Sequence, residues 1–363
     1  MYITETFKTN KVSIVYVYLI IALNLKLLQL WYFSRKIILM LAITEYREVF
    51  LKYLEEKITI KEPANLYEPM VYILGLGGKR LRPVLVLMAT EIFEKDYKEA
   101  LDASLAIEIF HNFSLVHDDI MDDAPLRRGK ETVHEKWDIN TGILSGDAML
   151  INAYQLFENY EGNTFKELAQ LFTKTAMEVC EGQQYDIDFE TRDDVSIDDY
   201  LKMIEYKTAV LVGASLQMGA IVAGVDEDCK KAIYQFGRLL GIAFQLQDDY
   251  LDAFGDPKTF GKQVGGDIIE NKKTFLYLKS LQASSEDEAK QLEYLYSINP
   301  EDNSGKIETV KSIFQKSGAA KSTKEEIEKY TKMAFDVLDE ISISEEKKKP
   351  LRDFGNLLMN RTV

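Results

Sequence analysis

Hydrophobic residues recur at helical spacing along most of this chain, and this pattern limits the possible folds more than any other feature. Directly after Thr44, apolar and aromatic side chains follow at i, i+3, i+4, i+7 and i+8. No stretch alternates apolar and polar residues as a half-buried strand would, and no βαβ unit is present. The sequence therefore predicts an all-α protein, a large bundle with buried apolar helices. The amphipathic runs cover 65–76, 81–93, 98–121, 145–160, 163–184, 196–223, 227–253, 272–281 and 307–341, and loops are expected at 282–288 and 297–305.

The charge balance and the cysteine content exclude several classes of protein. With 44 basic and 59 acidic residues, the net charge is −15. Because phosphate backbones require clustered Lys and Arg, we expect no nucleic-acid partner. The two cysteines, Cys180 and Cys229, form neither a disulfide scaffold nor a CxxC zinc site. Two cysteines fit a reducing compartment, so we expect a cytoplasmic protein.

Residues 1–43 differ from the rest of the chain, and we interpret them as an atypical apolar N-terminal extension. They carry five basic residues and one acidic residue, and their apolar stretch 12–23 ends before Asn24 and Lys26. A membrane span needs ~20 apolar residues. Three interpretations remain open: a membrane-surface segment, an extra helix packed on the body, or a translated upstream segment with the real start at Met40. We favour the last, because the regular helical pattern begins just after it.

Two aspartate clusters of the form DDxxD stand out in the body. The first is 118–122 and the second is 248–252, and each follows an apolar helical turn. Side chains at i and i+4 share one face of a helix. Like charges at this spacing destabilise a helix, and they do so more strongly where solvent is scarce. Two such clusters therefore indicate a shared cation rather than two solvated turns. Asp118 and Asp122 point together in the first cluster, and Asp248 and Asp252 do so in the second.

The chemistry of these clusters favours magnesium. Carboxylates without a Cys or His partner suit a hard cation that prefers oxygen ligands. Magnesium is typically held by one or two carboxylates, with water and phosphate oxygens completing its shell. Calcium fits less well, because the spacing and the glycine of an EF-hand are absent.

Basic motifs next to the aspartates indicate a diphosphate ligand. The segment 77–83 reads GGKRLRP, Arg127 and Arg128 follow the first cluster, and Lys262 and Lys272 follow the second. Arginine forks match phosphate oxygens in a bidentate manner. Together with two aspartate clusters, these side chains describe a diphosphate pocket. The GGKRLRP segment is not a P-loop, because it lacks the GxxxxGK[ST] spacing.

The ordered motifs resemble those of the trans-isoprenyl diphosphate synthases, also called polyprenyl synthetases. They are GGKRLRP, DDIMDxxxxRRG, GQQYD, KT, and FQLQDDYLD followed by GKQVGGD, and the likeness covers about residues 46–361. The resemblance implies that 44–363 form one polyprenyl synthase domain, a single helical bundle around a central cavity. It further implies a homodimer.

The resemblance also implies a reaction: an allylic diphosphate (dimethylallyl, geranyl or farnesyl) ionises, isopentenyl diphosphate attacks the cation, and a proton is lost. By resemblance, Asp118, Asp119, Asp122, Asp248, Asp249 and Asp252 bind about three magnesium ions, directly or through water. These ions are expected to draw charge from the leaving diphosphate. By resemblance, Arg127, Lys262 and Lys272 contact the allylic diphosphate, and Lys207, Thr208 and Gln245 steady the carbocation. The remaining implied residues are Lys79, Arg82, His111 and Arg128 at the isopentenyl diphosphate site, Gln183 and Asp186 of GQxxD, and Arg361 in a tail that closes the site.

The turns before the first cluster are expected to set product length. In the family that this chain resembles, large side chains there stop the growing tail. Phe113 and Ser114 lie five and four residues before Asp118, and Phe110 lies one turn before Phe113. The first cluster carries no insertion, as in C20-forming members. We therefore predict geranylgeranyl diphosphate as the product, with farnesyl diphosphate as the alternative.

Two other functions are compatible with part of this pattern. A class I terpene cyclase also uses DDxxD, but its second motif differs and it has no isopentenyl diphosphate site. A non-catalytic synthase-like subunit usually lacks some of the aspartates, and none is missing here. Both are less consistent with the motifs than a prenyltransferase.

Overall fold

A computed structural model describes residues 43–255 and 265–359 of the chain. These residues form one compact unit that is almost wholly helical. The predicted all-α fold is thereby confirmed. The helices are α1 Ile43–Lys57, α2 Ala64–Gly75, α3 Leu81–Ile92, α4 Leu101–Met121, α5 Val133–Lys136, α6 Ile139–Phe157, α7 Gly162–Thr191, α8 Ile197–Ile204, α9 Val210–Ala223, α10 Glu227–Phe254, α11 Gly266–Ile269, α12 Phe275–Ala283, α13 Glu286–Leu295, α14 Ser304–Lys316, α15 Ala319–Glu340 and α16 Glu345–Met359.

Three short elements interrupt this helical chain. A 3₁₀ turn, Tyr97–Ala100, precedes α4, and a π-helical segment, Glu205–Ala209, joins α8 to α9. The strands β1 (Leu126–Arg127) and β2 (Lys130–Glu131) form a small antiparallel hairpin directly after α4. This hairpin is too short to give an alternating pattern, so the sequence did not predict it.

Several predicted boundaries were wrong. Helix α6 begins at Ile139 rather than at 145, and α7 continues to Thr191 rather than to 184. The run predicted as one helix over 307–341 is two helices, because Gly318 takes a left-handed conformation (φ 80°) between α14 and α15. The loop predicted at 282–288 ends early, because the side chain of Ser285 accepts a hydrogen bond from the Glu288 backbone N–H and caps α13.

Helix α9 lies at the centre of the bundle. It is apolar on most of its surface and packs against α3, α7 and α10. The helical stretch Ile197–Ala223 is long and apolar enough to cross a membrane, yet 67% of its most apolar window is buried inside the fold. Its apolar composition is therefore accounted for by core packing.

The long helices α4 and α10 position the two aspartate clusters. Asp118 and Asp119 lie in the last turn of α4, and Asp122 follows as its C-cap. The second cluster lies in the last turns of α10. The π-helical segment contacts both helices, through Lys207 and Asp118 of α4 and through Thr208 and Gln245 of α10. The predictions for residues 1–42, including the start at Met40 and membrane contact, lie outside the described residues.

Candidate active site

The first aspartate cluster is paired with an arginine from the β-hairpin. The Nε of Arg127 donates to both carboxylate oxygens of Asp119 at 2.8 Å. Its Nη2 lies 2.6 Å from Asp119 and 3.8 Å from Asp118. The hairpin therefore folds a cation back over the carboxylates that precede it in the chain.

The second cluster is held from within the protein. Asp249 is buried and accepts hydrogen bonds from the Tyr200 hydroxyl and from Gln245 Nε2, the latter at 2.9 Å. Asp252 accepts a hydrogen bond of 3.0 Å from the backbone N–H of Asp267. The first turn of α11 is thus attached to the cluster itself.

Lysines connect the two clusters. Lys207 Nζ lies 2.6 Å from Asp186 Oδ2 and 3.4 Å from Asp118 Oδ1. Lys272 lies within electrostatic reach of both clusters, because its charge opposes the rise that burial causes in the pKa of Asp122 and of Asp249. Residues 130 positions apart in the sequence therefore surround one common site.

Crowding of carboxylates shapes the electrostatics of the site. Burial, and then the neighbouring Asp118, raise the pKa of Asp122. Burial raises the pKa of Asp249 to about 6, and Asp248 contributes in the same direction. Burial, Asp249 and Asp252 raise the pKa of Asp267 well above its usual value. An all-oxygen donor set with excess negative charge fits a hard divalent cation, because such a cation would relieve this repulsion.

The π-helical segment brings Lys207 and Thr208 into the site. Single π turns inside helices are frequent at functional sites. Thr208 Oγ1 donates to Gln245 Oε1 at 3.1 Å, which links the segment to α10. On the other side, a Cβ on Gly182 would lie only 2.2 Å from the backbone nitrogen of Lys207. Gly182, in the GQQYD motif, therefore allows α7 to approach this segment closely.

Asp186 and Gln183 project from α7 near the same segment. Asp186 pairs with Lys207 as described. Gln183 is half-buried, and its Nε2 has no hydrogen-bond partner in the part of the chain that the structure describes. This leaves a donor near Lys207 for a ligand.

A second group of cations lies around the GGKRLRP segment. Arg82 Nη1 lies 3.2 Å from His111 Nε2, and Arg128 donates to the carbonyl oxygen of Gly77. Burial, followed by the charge of Arg82, lowers the pKa of His111 well below its usual value. His111 is therefore neutral near pH 7. Lys79 is exposed at the edge of this group.

Arg80 differs from the other cations of this segment. It is buried, and it pairs with the carboxylate of Glu108 and with the carbonyl oxygen of Leu74. Asn112 Nδ2 also donates to Glu108, at 3.1 Å. This buried network supports the backbone beneath Arg82 and His111.

The residues predicted to set product length form an aromatic stack on α4. The ring of Phe113 lies 5.6 Å from that of Phe110 and 4.7 Å from that of His117, measured between centroids. Phe110 in turn contacts Phe172 of α7 at 5.1 Å. Ser114 donates to the His111 carbonyl oxygen at 2.8 Å.

Two of the predicted site residues lie outside the described residues, and three residues that take part in the site were not predicted from the sequence. Lys262 and Arg361 lie outside the described residues. Sequence reasoning did not single out Tyr200, Asp267 or Glu108. Asp267 ends the quoted GKQVGGD motif, so its position was a usable signal. Tyr200 and Glu108 are isolated polar residues on apolar helices, and no pattern marks them.

Comparison with known proteins agrees with the geometry. A family model described as polyprenyl synthetase matches residues 63–314. A geranylfarnesyl diphosphate synthase of Natronomonas pharaonis is 35% identical over 342 residues, which cover 88% of this chain and 97% of that protein. A geranylgeranyl pyrophosphate synthase of Geoglobus acetivorans is 42% identical over 236 residues, which cover 64% of this chain and 73% of that protein.

A solved structure is similar along most of the chain. The crystal structure of a geranylgeranyl pyrophosphate synthase aligns with a TM-score of 0.86 at 57% identity, covering 89% of this chain and 99% of that chain. The residues that the family model matches include both aspartate clusters. The chain therefore belongs to the polyprenyl synthetase family, and it is a short-chain trans-prenyltransferase.

Proposed function

We propose that this protein condenses isopentenyl diphosphate with an allylic diphosphate and releases geranylgeranyl diphosphate. Farnesyl diphosphate is the alternative product. The observation that carries the proposal is the convergence of the two aspartate clusters with Arg127, Lys207 and Lys272. The names of the geranylgeranyl pyrophosphate synthases to which the chain is similar support the C20 product.

The aspartates are the proposed magnesium ligands. Asp118 and Asp122 at the first cluster, with Asp248 and Asp252 at the second, would hold about three ions, directly or through water. Asp249 shares its carboxylate with Tyr200 and Gln245 and would orient the cluster. Magnesium, when bound, neutralises the charge that develops on the leaving diphosphate.

Side chains of the protein would bind the allylic diphosphate and favour its departure. Arg127 presents a planar fork that suits phosphate oxygens. Lys207 and Lys272 add positive charge on the opposite side of the site, and Lys262 is assigned to the same group. Arg127 and Lys207 pair with Asp119, Asp118 and Asp186 in this structure, so substrate binding would exchange carboxylate partners for phosphate oxygens.

A second group would hold isopentenyl diphosphate. Arg82, Arg128 and Lys79 supply its charge. The neutral His111 accepts or donates a hydrogen bond next to Arg82 without adding a further charge. Isopentenyl diphosphate would be held by this second group of cations, and the allylic diphosphate by the aspartate clusters. The double bond of isopentenyl diphosphate would then lie against the ionising carbon of the allylic diphosphate.

Dipoles from two elements would steady the allylic cation. The Thr208 hydroxyl and the Gln245 side-chain oxygen lie 3.1 Å apart and carry partial negative charge. Fixed dipoles stabilise a transient charge without the reorganisation that water would require. Gln183 of the GQxxD motif would complete the polar contacts.

Phe113 would stop the growing chain at C20. It lies on α4 just before the first cluster, and Phe110 and Phe172 support its position. Ser114, next to it, leaves space that a larger residue would fill. A hydrocarbon tail lying along this face of α4 would meet the Phe113 ring.

We also infer that the protein is a homodimer in the cytoplasm. Large apolar side chains are exposed on α6 and α7: Leu144, Ile151 and Met177 are each at least 60% exposed. Leu144 and Ile151 lie seven residues apart, so they share one face of α6. A second copy of the chain would cover such a face. We further propose that the extension 1–43 is dispensable for the reaction.

The proposal is tested by supplying the purified full chain with labelled isopentenyl diphosphate, farnesyl diphosphate and magnesium. Label should enter a prenyl diphosphate, and a chelator should abolish incorporation until magnesium is restored. A hydrocarbon formed without isopentenyl diphosphate would instead indicate a terpene cyclase. No incorporation with any of the three allylic primers would favour a subunit that needs a partner.

A further inference from the structure

A cluster of metal-ligand side chains lies outside the site described above. Among the residues described by the structure, Asp123, His134 and Glu135 each present one ligand atom, and these atoms lie within 4.8 Å of one another. Asp123 lies in the turn after α4, whereas His134 and Glu135 lie on α5. The β-hairpin between them brings the two segments together.

The imidazole of His134 is a second and independent indication of a ligand. His134 is only 8% exposed, yet neither of its ring nitrogens has a hydrogen-bond partner within 43–255 or 265–359. Its Nε2 lies 3.8 Å from Glu135 Oε1, so the ring faces the carboxylates without bonding to them. A buried polar group without a partner is unfavourable, and a metal ion at the cluster would satisfy one of the two ring nitrogens.

The donor set differs from that of the aspartate clusters. One imidazole nitrogen with two carboxylate oxygens suits a first-row transition metal such as zinc. The two DDxxD clusters offer only oxygen atoms, which suit magnesium. Asp123 and Glu135 are both exposed, so the remaining coordination positions would face solvent.

We propose that Asp123, His134 and Glu135 bind a divalent transition-metal ion of the zinc class. The bound ion connects the turn after α4 to α5, and so fixes the backbone next to Asp122. The site is a neighbour of the first aspartate cluster, because Asp123 directly follows Asp122 in the chain. Its test must therefore distinguish zinc at this cluster from zinc on the aspartates.

The nitrogen ligand provides that distinction. Untagged full-length protein in excess magnesium receives less than one equivalent of zinc, and X-ray absorption spectroscopy counts its imidazole ligands. We expect one imidazole nitrogen per zinc. His134→Asn should remove this signal and weaken zinc binding at least about tenfold. His117→Asn, a control on α4, should retain both. Zinc held by oxygen atoms alone, or an imidazole signal that persists in His134→Asn, would overturn the proposal.

Two variants at exposed positions guard against misfolding of His134→Asn. Asp123→Asn and Glu135→Gln should each weaken zinc binding about tenfold or more in calorimetric titration, with Asp147→Asn on α6 as the matched control. Unchanged zinc affinity in both variants would also overturn the proposal. These measurements contain no prenyl substrate, so their outcome is independent of the proposed function.

Discussion

Lys207 Nζ lies 3.4 Å from Oδ1 of Asp118, although 89 residues separate them in the chain. The π-helical turn at Glu205–Ala209 and its close contact with Gly182 hold the lysine at this distance. The contact joins the first aspartate cluster to the motif that would steady the cation. In the proposed function, it would connect diphosphate binding to the chemistry at the allylic carbon.

Removal of the Lys207 charge should reduce turnover. In Lys207→Met, the developing negative charge on the leaving diphosphate loses one fixed donor, so kcat should fall about 100-fold or more. Lys207→Arg should recover part of the loss. Steady-state kinetics with farnesyl diphosphate measure both. Lys174→Met, an exposed position on α7, is the control. A kcat within twofold of wild type in Lys207→Met would contradict the assigned role.

Substitution of Gly182 should disturb the site through the backbone. The added methyl group of Gly182→Ala would overlap the Lys207 backbone, which must then move. We expect about 1–3 kcal/mol of lost stability and a larger relative loss of kcat. Gly305→Ala is the matched control, because a Cβ there meets nothing within 4 Å. Chemical denaturation and kinetics would show the difference. Equal behaviour of the two variants would refute the packing argument.

Truncation of Phe113 should lengthen the product. Phe113→Ala removes the ring that would stop the hydrocarbon tail, so products beyond C20 should accumulate. It should also destabilise the protein by about 3 kcal/mol, because the ring is buried. Chromatographic sizing of the labelled products is the measurement. Phe165→Ala, at an exposed position on α7, should leave product length unchanged. An unchanged product in Phe113→Ala would remove this residue as the stop.

His111 should make the ligand-free protein less stable in mild acid. Its folded-state pKa is lowered, chiefly by burial, so below about pH 6.5 the unfolded chain binds a proton that the folded protein does not. The contribution of His111 to the free energy of unfolding is therefore fully present above about pH 6.5. It is lost as pH falls, by up to about 1.4 kcal/mol per pH unit. Denaturant unfolding of wild type and His111→Asn between pH 5 and 7 gives the free energy of unfolding of each protein, and its slope against pH is then compared. Parallel curves would show that His111 titrates normally.

Much of this site was predictable because its chemistry repeats along the chain. The aspartates recur at i and i+4 on apolar helices, and the cations stand out in an acidic sequence. The same patterns predicted the helical bundle. Helix ends were harder to locate, as at Gly318, because a left-handed turn between two amphipathic helices barely interrupts the periodicity.

Partners within the site could not be predicted from spacing. The pairing of Arg127 with Asp119 depends on a hairpin of two-residue strands, and the bond from Tyr200 to Asp249 depends on how α8 packs against α10. Such contacts depend on how the elements pack, and neither pairing leaves a periodic signal in the sequence. The close contact at Gly182 belongs to the same class.

The length of the product tests the account most directly. The full chain is incubated with labelled isopentenyl diphosphate, each of the three allylic primers and magnesium, and the products are sized. We predict that every primer is extended to C20 and no further. A product of C15, or one longer than C20, would contradict the position of the stop at Phe113. The absence of any magnesium-dependent product would contradict the proposed reaction itself.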